Sequence, residues 1–521
     1  MKRNTKFRAF ALSTLLLALF ACSEDDFSKK FPNPSETTTV TCEKLMTGVF
    51  WRGCDYTFKG YYGVFGWESL AVSRYSQVLG FVNSVGRYEI QETYYADRWK
   101  NFYYLLPQFR LLEATYKHLP EETKPDYRVF LLLAKIFMLD HLSQICDAWG
   151  DIPFSKAGYL PLTGDVEASR PSYDTAESIY ETILNDLKTI NDELSAMPPP
   201  SSLTSGYLNS HDFFNKGDLT KWRKYANSLR LRIALRVSLN GNLTGKARQV
   251  ISEMLSDPAR HPMVDANDEI TKATPDEAGF SGYASAPREA YETWSGEFNR
   301  ASEAMVKAME GDPRIDILFD RNREGHYQGV AMTTPLPEQS VLFAKGDWYS
   351  AFDSATFSRN RLIPGVTVSA AEVSFAKAEA FLRGFAKGDA KAEFVKGVGQ
   401  SVDFYFRLNA QSAWRPPVKK PDEAAVIAFA EEKWNTSANQ LEAIGIQKWL
   451  NYGILQPAHA WTEIRRTGYP QLTFPVDEAA QVLRQPPNRF RYPKSEVDLN
   501  TDNYNAYKAK DNWTDKLFWA K

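Results

Sequence analysis

A mainly α-helical fold follows from three features of this chain. Apolar residues recur at three- and four-residue spacing over much of its length, the periodic segments come in pairs, and turns carrying Pro or Gly separate the members of a pair. In the first pair Trp99, Phe102, Tyr103, Leu106 and Phe109 share one helical face, and Tyr127, Phe130, Leu131, Ala134, Met138, Leu142 and Ile145 share another. Pro120 and Pro125 bracket the turn between them, so the two segments form an antiparallel hairpin. Ala176, Tyr180, Ile183, Leu184, Leu187, Ile190 and Leu194 begin a second pair, which Trp222, Tyr225, Ala226, Leu229 and Ile233 complete after the breaker Pro198-Pro199-Pro200. Further helices are expected from Ala371 to Arg383 and from Gln440 to Asn451. Repeated hairpins of this kind predict a tetratricopeptide-like scaffold, although the consensus of that repeat is not visible and the period is irregular.

Over residues 257–364 the helical signal fades into Gly, Pro, Ser and isolated aromatics, as in Ala278-Gly279-Phe280-Ser281-Gly282-Tyr283 and Gly346-Asp347-Trp348-Tyr349. A long irregular insertion that retains aromatics reads as a set of functional loops on a helical scaffold.

The N-terminus is an address. Lys2, Arg3, Lys6 and Arg8 precede an apolar run from Ala9 to Phe20, and Leu19-Phe20-Ala21 leads into Cys22. That order resembles a bacterial lipoprotein signal, cut before Cys22 and acylated on it. The following Ser23-Glu24-Asp25-Asp26 resembles the acidic tract that sends Bacteroidetes lipoproteins to the cell surface. The expected organisation is a signal peptide over residues 1–21, a lipidated acidic tether over residues 22–35 and one helical body over residues 36–521. No apolar stretch beyond the signal is expected to span a membrane.

Charge is nearly balanced, with 62 basic against 64 acidic residues among 521, so no electrostatic footprint for nucleic acid exists. Aromatics make up 14% of the chain, which suits either a large aromatic core or a stacking surface for flat ligands. Cys42 and Cys54 have a spacing that permits a disulfide without requiring one, and Cys146 falls on the inner face of a helix. No zinc-type Cys/His spacing, H-E-x-x-H, G-x-S-x-G, P-loop or dinucleotide fingerprint is present, and the six histidines are scattered singly. No cofactor, metal or catalytic residue is therefore assigned. Paired carboxylates of a glycoside hydrolase stay open, because sequence spacing does not give their separation in space.

Several local motifs occur together and in order. Phe31-Pro32-Asn33-Pro34 is followed by Ala148-Trp149-Gly150-Asp151-Ile152-Pro153, and then by Trp222-Arg223-Lys224-Tyr225-Ala226-Asn227-Ser228-Leu229. Asp312-Pro313-Arg314, Ala371-Glu372-Val373-Ser374-Phe375 and Gln447-Lys448-Trp449 come next. Trp461-Thr462-Glu463-Ile464-Arg465-Arg466-Thr467-Gly468-Tyr469-Pro470, Arg491-Tyr492-Pro493 and Asn503-Tyr504-Asn505 close the set. In this register they resemble the SusD/RagB family of nutrient-binding outer membrane lipoproteins, and the resemblance runs nearly from end to end.

The resemblance implies a SusD-like helical body on the extracellular face of the outer membrane. It further implies a non-enzymatic binder that captures an oligosaccharide or peptide and delivers it to a SusC-like TonB-dependent transporter. A surface-anchored hydrolase and a structural helical-repeat adaptor are the alternatives. Glu463, Arg465 and Arg466 read as scaffold, with Gly468 free to take a left-handed conformation and Pro470 ending the helix. Ligand contacts are sought in the early loop, at Trp67, Arg74 and Tyr75, and in the insertion, at Trp294, Trp348 and Tyr349. A packing role weighs at least as heavily for each of these, whereas Trp222 and Trp461 hold helical positions that bury them.

Overall fold

A computed structural model describes residues 40–167, 169–293 and 299–521. The expected signal and the whole of the expected tether, Cys22 included, lie outside the described residues, as does Trp294.

The principal helices are α1 (Cys42–Arg52), α2 (Glu92–Lys117), α3 (Lys124–Trp149), α4 (Ala176–Ala196), α5 (Leu219–Arg236) and α6 (Thr244–Ser256). They continue as α7 (Ala286–Glu292), α8 (Ala370–Leu382), α9 (Ala390–Ala410), α10 (Glu423–Thr436), α11 (Gln440–Tyr452) and α12 (Pro457–Thr467). Helices α2 and α3, and α4 and α5, pack as the two hairpins expected from periodicity, and α8 with α9 and α10 with α11 pack as further successive neighbours. Pro125 sits at the first turn of α3, where its missing N–H costs nothing. Asp218, Asp389 and Asn439 cap α5, α9 and α11 by accepting backbone N–H bonds. Over residues 257–364 the chain is largely irregular, with short helices such as α7 and the isolated bridges Arg300 to Ala351 and Phe319 to Phe352. The sheets among the described residues are two antiparallel pairs of two-residue strands, Ile152–Pro153 with Tyr173–Asp174 and Lys272–Ala273 with Gly365–Val366.

Helix α3 corrects one expectation. It is long and apolar enough to pass for a membrane span, but 89% of its most apolar stretch is buried inside the protein, so it is the central core helix. Around it Trp222 lies flat on Phe50 at 5.3 Å between ring centroids and donates its indole N–H to Asp212 at 2.7 Å. Cys42, Cys54 and Cys146 are buried free thiols, so the permitted Cys42–Cys54 bridge is not formed.

The core also holds charge. Arg232 donates to Glu372 at 2.5 and 2.7 Å and to Asp140 at 3.4 Å, tying α5 to α8 and α3. Arg236 pairs with Asp147 and, at 3.4 Å, with Glu463. Arg466 grips Glu379 through two bonds of 2.8 and 2.6 Å and also holds Glu463, to which Lys448 donates at 2.5 Å. Tyr180 and Tyr225 donate to Asp147 and Asp140. All of these charged side chains are buried, so each is stable only with its partners in place. Gly468 has φ 78° and ends α12 as expected, after which the Tyr469–Pro470 peptide is cis.

Replacing Arg466 with Ala would leave Glu379 and Glu463 without their main counter-charge, and a loss of about 3–5 kcal/mol is expected in urea unfolding. Acid sensitivity has the same origin. Burial alone would raise Glu379 from its ordinary value of 4.5, but the Arg466 guanidinium overrides it and holds the carboxyl at about 2; Glu463 is held well below its ordinary range in the same way. A depressed folded-state value means the stabilisation is complete above the unfolded value and is lost as pH falls through the folded one. Urea midpoints should therefore drop steadily between pH 4.5 and 2, and the slope should be shallower in Glu379→Gln.

Candidate functional site

The segment after α1 is built to present aromatic rings. Residues Gly63–Val72 form a π-helix, a wider turn than the α-helix and one often found at functional positions. Its inner side buries Trp67, which stacks on Trp149 at 6.0 Å with 11° between ring planes and packs on Phe490 at 4.7 Å. Its outer side carries Phe65, and Tyr61 and Tyr62 stand in the helical turn just before it. Tyr61 stacks on Phe65 at 5.8 Å and meets the edge of Tyr62, whose side chain is 70% exposed.

Two glycines allow neighbouring rings to close on this segment. A Cβ on Gly66 would fall 2.2 Å from Tyr94, so that ring lies directly against the backbone of the π-helix. A Cβ on Gly60 would come within 3.2 Å of Tyr283, which docks from the insertion. Tyr283 donates its hydroxyl to Asp55, stacks on Phe280 at 5.2 Å, and Phe280 in turn leans on Trp51 at 5.1 Å. Trp51 and Tyr104 are half exposed, with the Arg52 guanidinium lying between them at 5.6 and 5.9 Å from the two rings.

Between these walls lies a cleft of about 610 Å³, lined among others by Tyr61, Tyr62, Tyr94, Asp97, Asn101 and Tyr283. Its floor is fixed from below. Arg98 stacks on Tyr56 at 3.2 Å, donates to the Asp55 carbonyl at 3.3 Å and to Gln144 at 2.9 Å, and Gln144 donates to Asp140 at 3.1 Å. The cleft is thereby wired to the buried ion pairs. Beneath the floor Lys59 and Glu68 pair at 2.5 Å, where burial pulls the Lys59 ammonium down and pushes the Glu68 carboxyl up while each partner opposes the shift. Flat rings on the walls with Asn, Asp and Lys at the rim can stack on the apolar face of a sugar and bond its hydroxyls. Among the described residues no cluster of His, Cys, Asp and Glu fit to hold a metal occurs.

Of the residues sought from sequence, Trp67 supplies the floor of this cleft but is 6% exposed, so it supports rather than presents a ring. Tyr75 and Tyr349 are core residues. Tyr75 is 1% exposed and donates to the Tyr88 carbonyl at 2.8 Å, and Tyr349 packs under Phe343. Arg74 is turned back on its own segment, donating to the Ser69 carbonyl at 3.0 Å. Trp348 is half buried beneath the Lys345 ammonium, 4.1 Å from its ring. Trp222 and Trp461 are buried as expected. Sequence reasoning singled out the Tyr283 loop and the Trp67 region but missed Tyr61, Tyr62 and Tyr94; the signal for the first two was a run of aromatics beside the glycines Gly60, Gly63 and Gly66.

The fold is thus a helical body whose long loops present an open aromatic cleft. The sequence matches the family described as starch-binding and associating with the outer membrane over residues 56–493, and the chain belongs to that family. The description names binding and association with the outer membrane, and no reaction. No curated protein sequence matches the chain. Among solved structures, a chitin-binding protein is similar with a TM-score of 0.73 and 22% identity, covering 91% of this chain and all 100% of its own. A chitin-binding SusD homolog from Flavobacterium johnsoniae gives 0.69 and 20%, covering 91% and 98%. A SusD-like protein from Bacteroides thetaiotaomicron gives 0.66 and 22%, covering 92% and 99%. These likenesses establish the fold.

The division between floor and wall is testable by melting and urea unfolding. Trp67→Ala should cost about 3–5 kcal/mol through the cavity it opens between Trp149 and Phe490, whereas Tyr62→Ala should stay within about 0.5 kcal/mol of the parent.

Proposed function

We propose that this protein is a cell-surface lipoprotein that captures an oligosaccharide in the cleft between Tyr61, Tyr62, Tyr94 and Tyr283 and passes it to a SusC-like TonB-dependent transporter in the outer membrane. The observation that carries the reading is the exposed Tyr62 ring standing over a preformed aromatic cleft in a member of a starch-binding family. Solved proteins of the same fold are described as chitin-binding, which favours a glycan. Peptide capture by strand addition would need a free sheet edge, and the two-residue strands among the described residues offer almost none. The lipid on Cys22 holds the body at the membrane, and the acidic tract after it directs the protein to the outer face. An open stacking surface gains only a few kcal/mol beyond the cost of association, so affinities of about micromolar to millimolar are expected.

Two experiments test this. Calorimetric titration of the soluble body with maltohexaose, chitohexaose and a set of short peptides should give saturable binding to a glycan, intact ligand by mass spectrometry afterwards, and at least about a fivefold weaker Kd in Tyr62→Ala. Cleaved sugar would support the hydrolase, and binding to peptides alone would overturn the glycan reading. For the anchor, Cys22→Ser should abolish acyl labelling, and replacing Glu24, Asp25 and Asp26 with Ala should keep the label while protecting the body from protease added to intact cells.

A further inference from the structure

Helix α7 separates two clefts. Glu289 lines the aromatic cleft already described, and Tyr291 and Glu292, the latter less than one helical turn further on, line a second cleft of about 430 Å³. The whole helix has seven residues, about 10 Å of rise, so the two clefts adjoin along one short element.

The second cleft has the same ingredients as the first in a different arrangement. Trp414 is 51% exposed, and one face of its ring is covered by the Arg359 guanidinium at 3.9 Å. Arg359 is itself locked, donating to Glu292 through three bonds of 2.8 to 3.0 Å, and Ser358 donates to the same carboxylate at 2.5 Å. Across the cleft Asp320 accepts from the Ser354 backbone N–H and from Arg415, each at 2.9 Å. Arg300 donates to the exposed Asp347 at 3.0 Å. The ring is therefore preorganised by a buttressed cation, while carboxylates and serine hydroxyls stand around it. Fixing an exposed Trp in advance lowers the ordering cost of a ligand that stacks on its open face.

We infer that the cleft at Trp414 is a second glycan subsite, and that the natural ligand is an oligosaccharide long enough to run past α7 and occupy both clefts at once. The inference rests on the glycan reading above and extends it to chain length. Two contacts on one ligand make the second effectively intramolecular, so the gain appears only in chains that reach both. The loop around Asp347, picked out in the sequence for its aromatics, contributes through its carboxylate instead.

The test is a chain-length series on the full soluble body, using maltose and maltohexaose and, in parallel, chitobiose and chitohexaose. The hexasaccharide of the preferred sugar should bind about tenfold or more tightly than its disaccharide. Trp414→Ala should remove that advantage and leave both the disaccharide Kd and the melting temperature unchanged. Arg359→Lys, which keeps the charge but not the flat stacked fork, should remove part of it. Equal affinities for the two lengths, or a hexasaccharide Kd untouched by Trp414→Ala, would overturn the two-cleft inference while leaving the first site standing. Absence of binding to any sugar would overturn the glycan reading itself and this inference with it.

Discussion

The buried ion-pair network is the constraint on which the rest of the structure depends. Arg232, Arg236, Lys448 and Arg466 meet Asp140, Asp147, Glu372, Glu379 and Glu463 inside a core that otherwise excludes water. Every one of these groups would be costly to bury alone, so the helices that carry them, α3, α5, α8, α11 and α12, have a single relative arrangement in which all the charges are met. Apolar packing alone tolerates small slides between helices; a bidentate pair such as Arg466 with Glu379 does not. The network also reaches the surface. From Arg232 it passes through Asp140 and Gln144 to Arg98, and Arg98 clamps Tyr56 and the Asp55 carbonyl at the base of the aromatic cleft. The position of the rings is set from within the core.

That arrangement divides the aromatic residues into two populations. Trp149, Trp222, Trp461 and Trp67 are enclosed and contribute by burial, edge contacts and close packing. Tyr62, Trp51, Tyr104 and Trp414 are at least half exposed, and each is held by neighbours instead of being free to collapse inward. A protein that exposes large rings in fixed positions runs a solubility risk, and such exposed patches mark interaction sites. The π-helix at Gly63–Val72 serves this division, since it turns Trp67 inward and leaves Phe65 on the rim beside Tyr62, which stands just before it.

Helical pairing was legible in the sequence because it rests on local periodicity. The hairpin of α2 and α3, the turn at Pro120 to Pro125, and the glycine and proline that end α12 are each specified within a few residues. The family resemblance was legible for a similar reason, through short motifs in order. The arginines of α5 were not. The carboxylates that meet Arg232 and Arg236 lie far away in the chain on α3, α8 and α12, and no local pattern shows that they stand opposite them. The site was half legible. Aromatic loops pointed to the two regions that line the clefts, but burial of Tyr75 and Tyr349 and exposure of Tyr62 and Trp414 depend on tertiary neighbours such as Tyr88 and Phe343. Trp414, alone beside two prolines, gave no periodic signal at all.

The central claim is that rings held rigidly above the buried charge network form the surface on which a glycan is captured. A crystal structure of the soluble body soaked with the hexasaccharide that it binds in solution tests this most directly. The account predicts electron density for sugar rings lying on Tyr62 and Tyr283, with hydroxyls within hydrogen-bond reach of Asp97 or Asn101 and the cleft walls unmoved. Well-defined sugar bound at another surface, with the Tyr62 cleft empty, would contradict it.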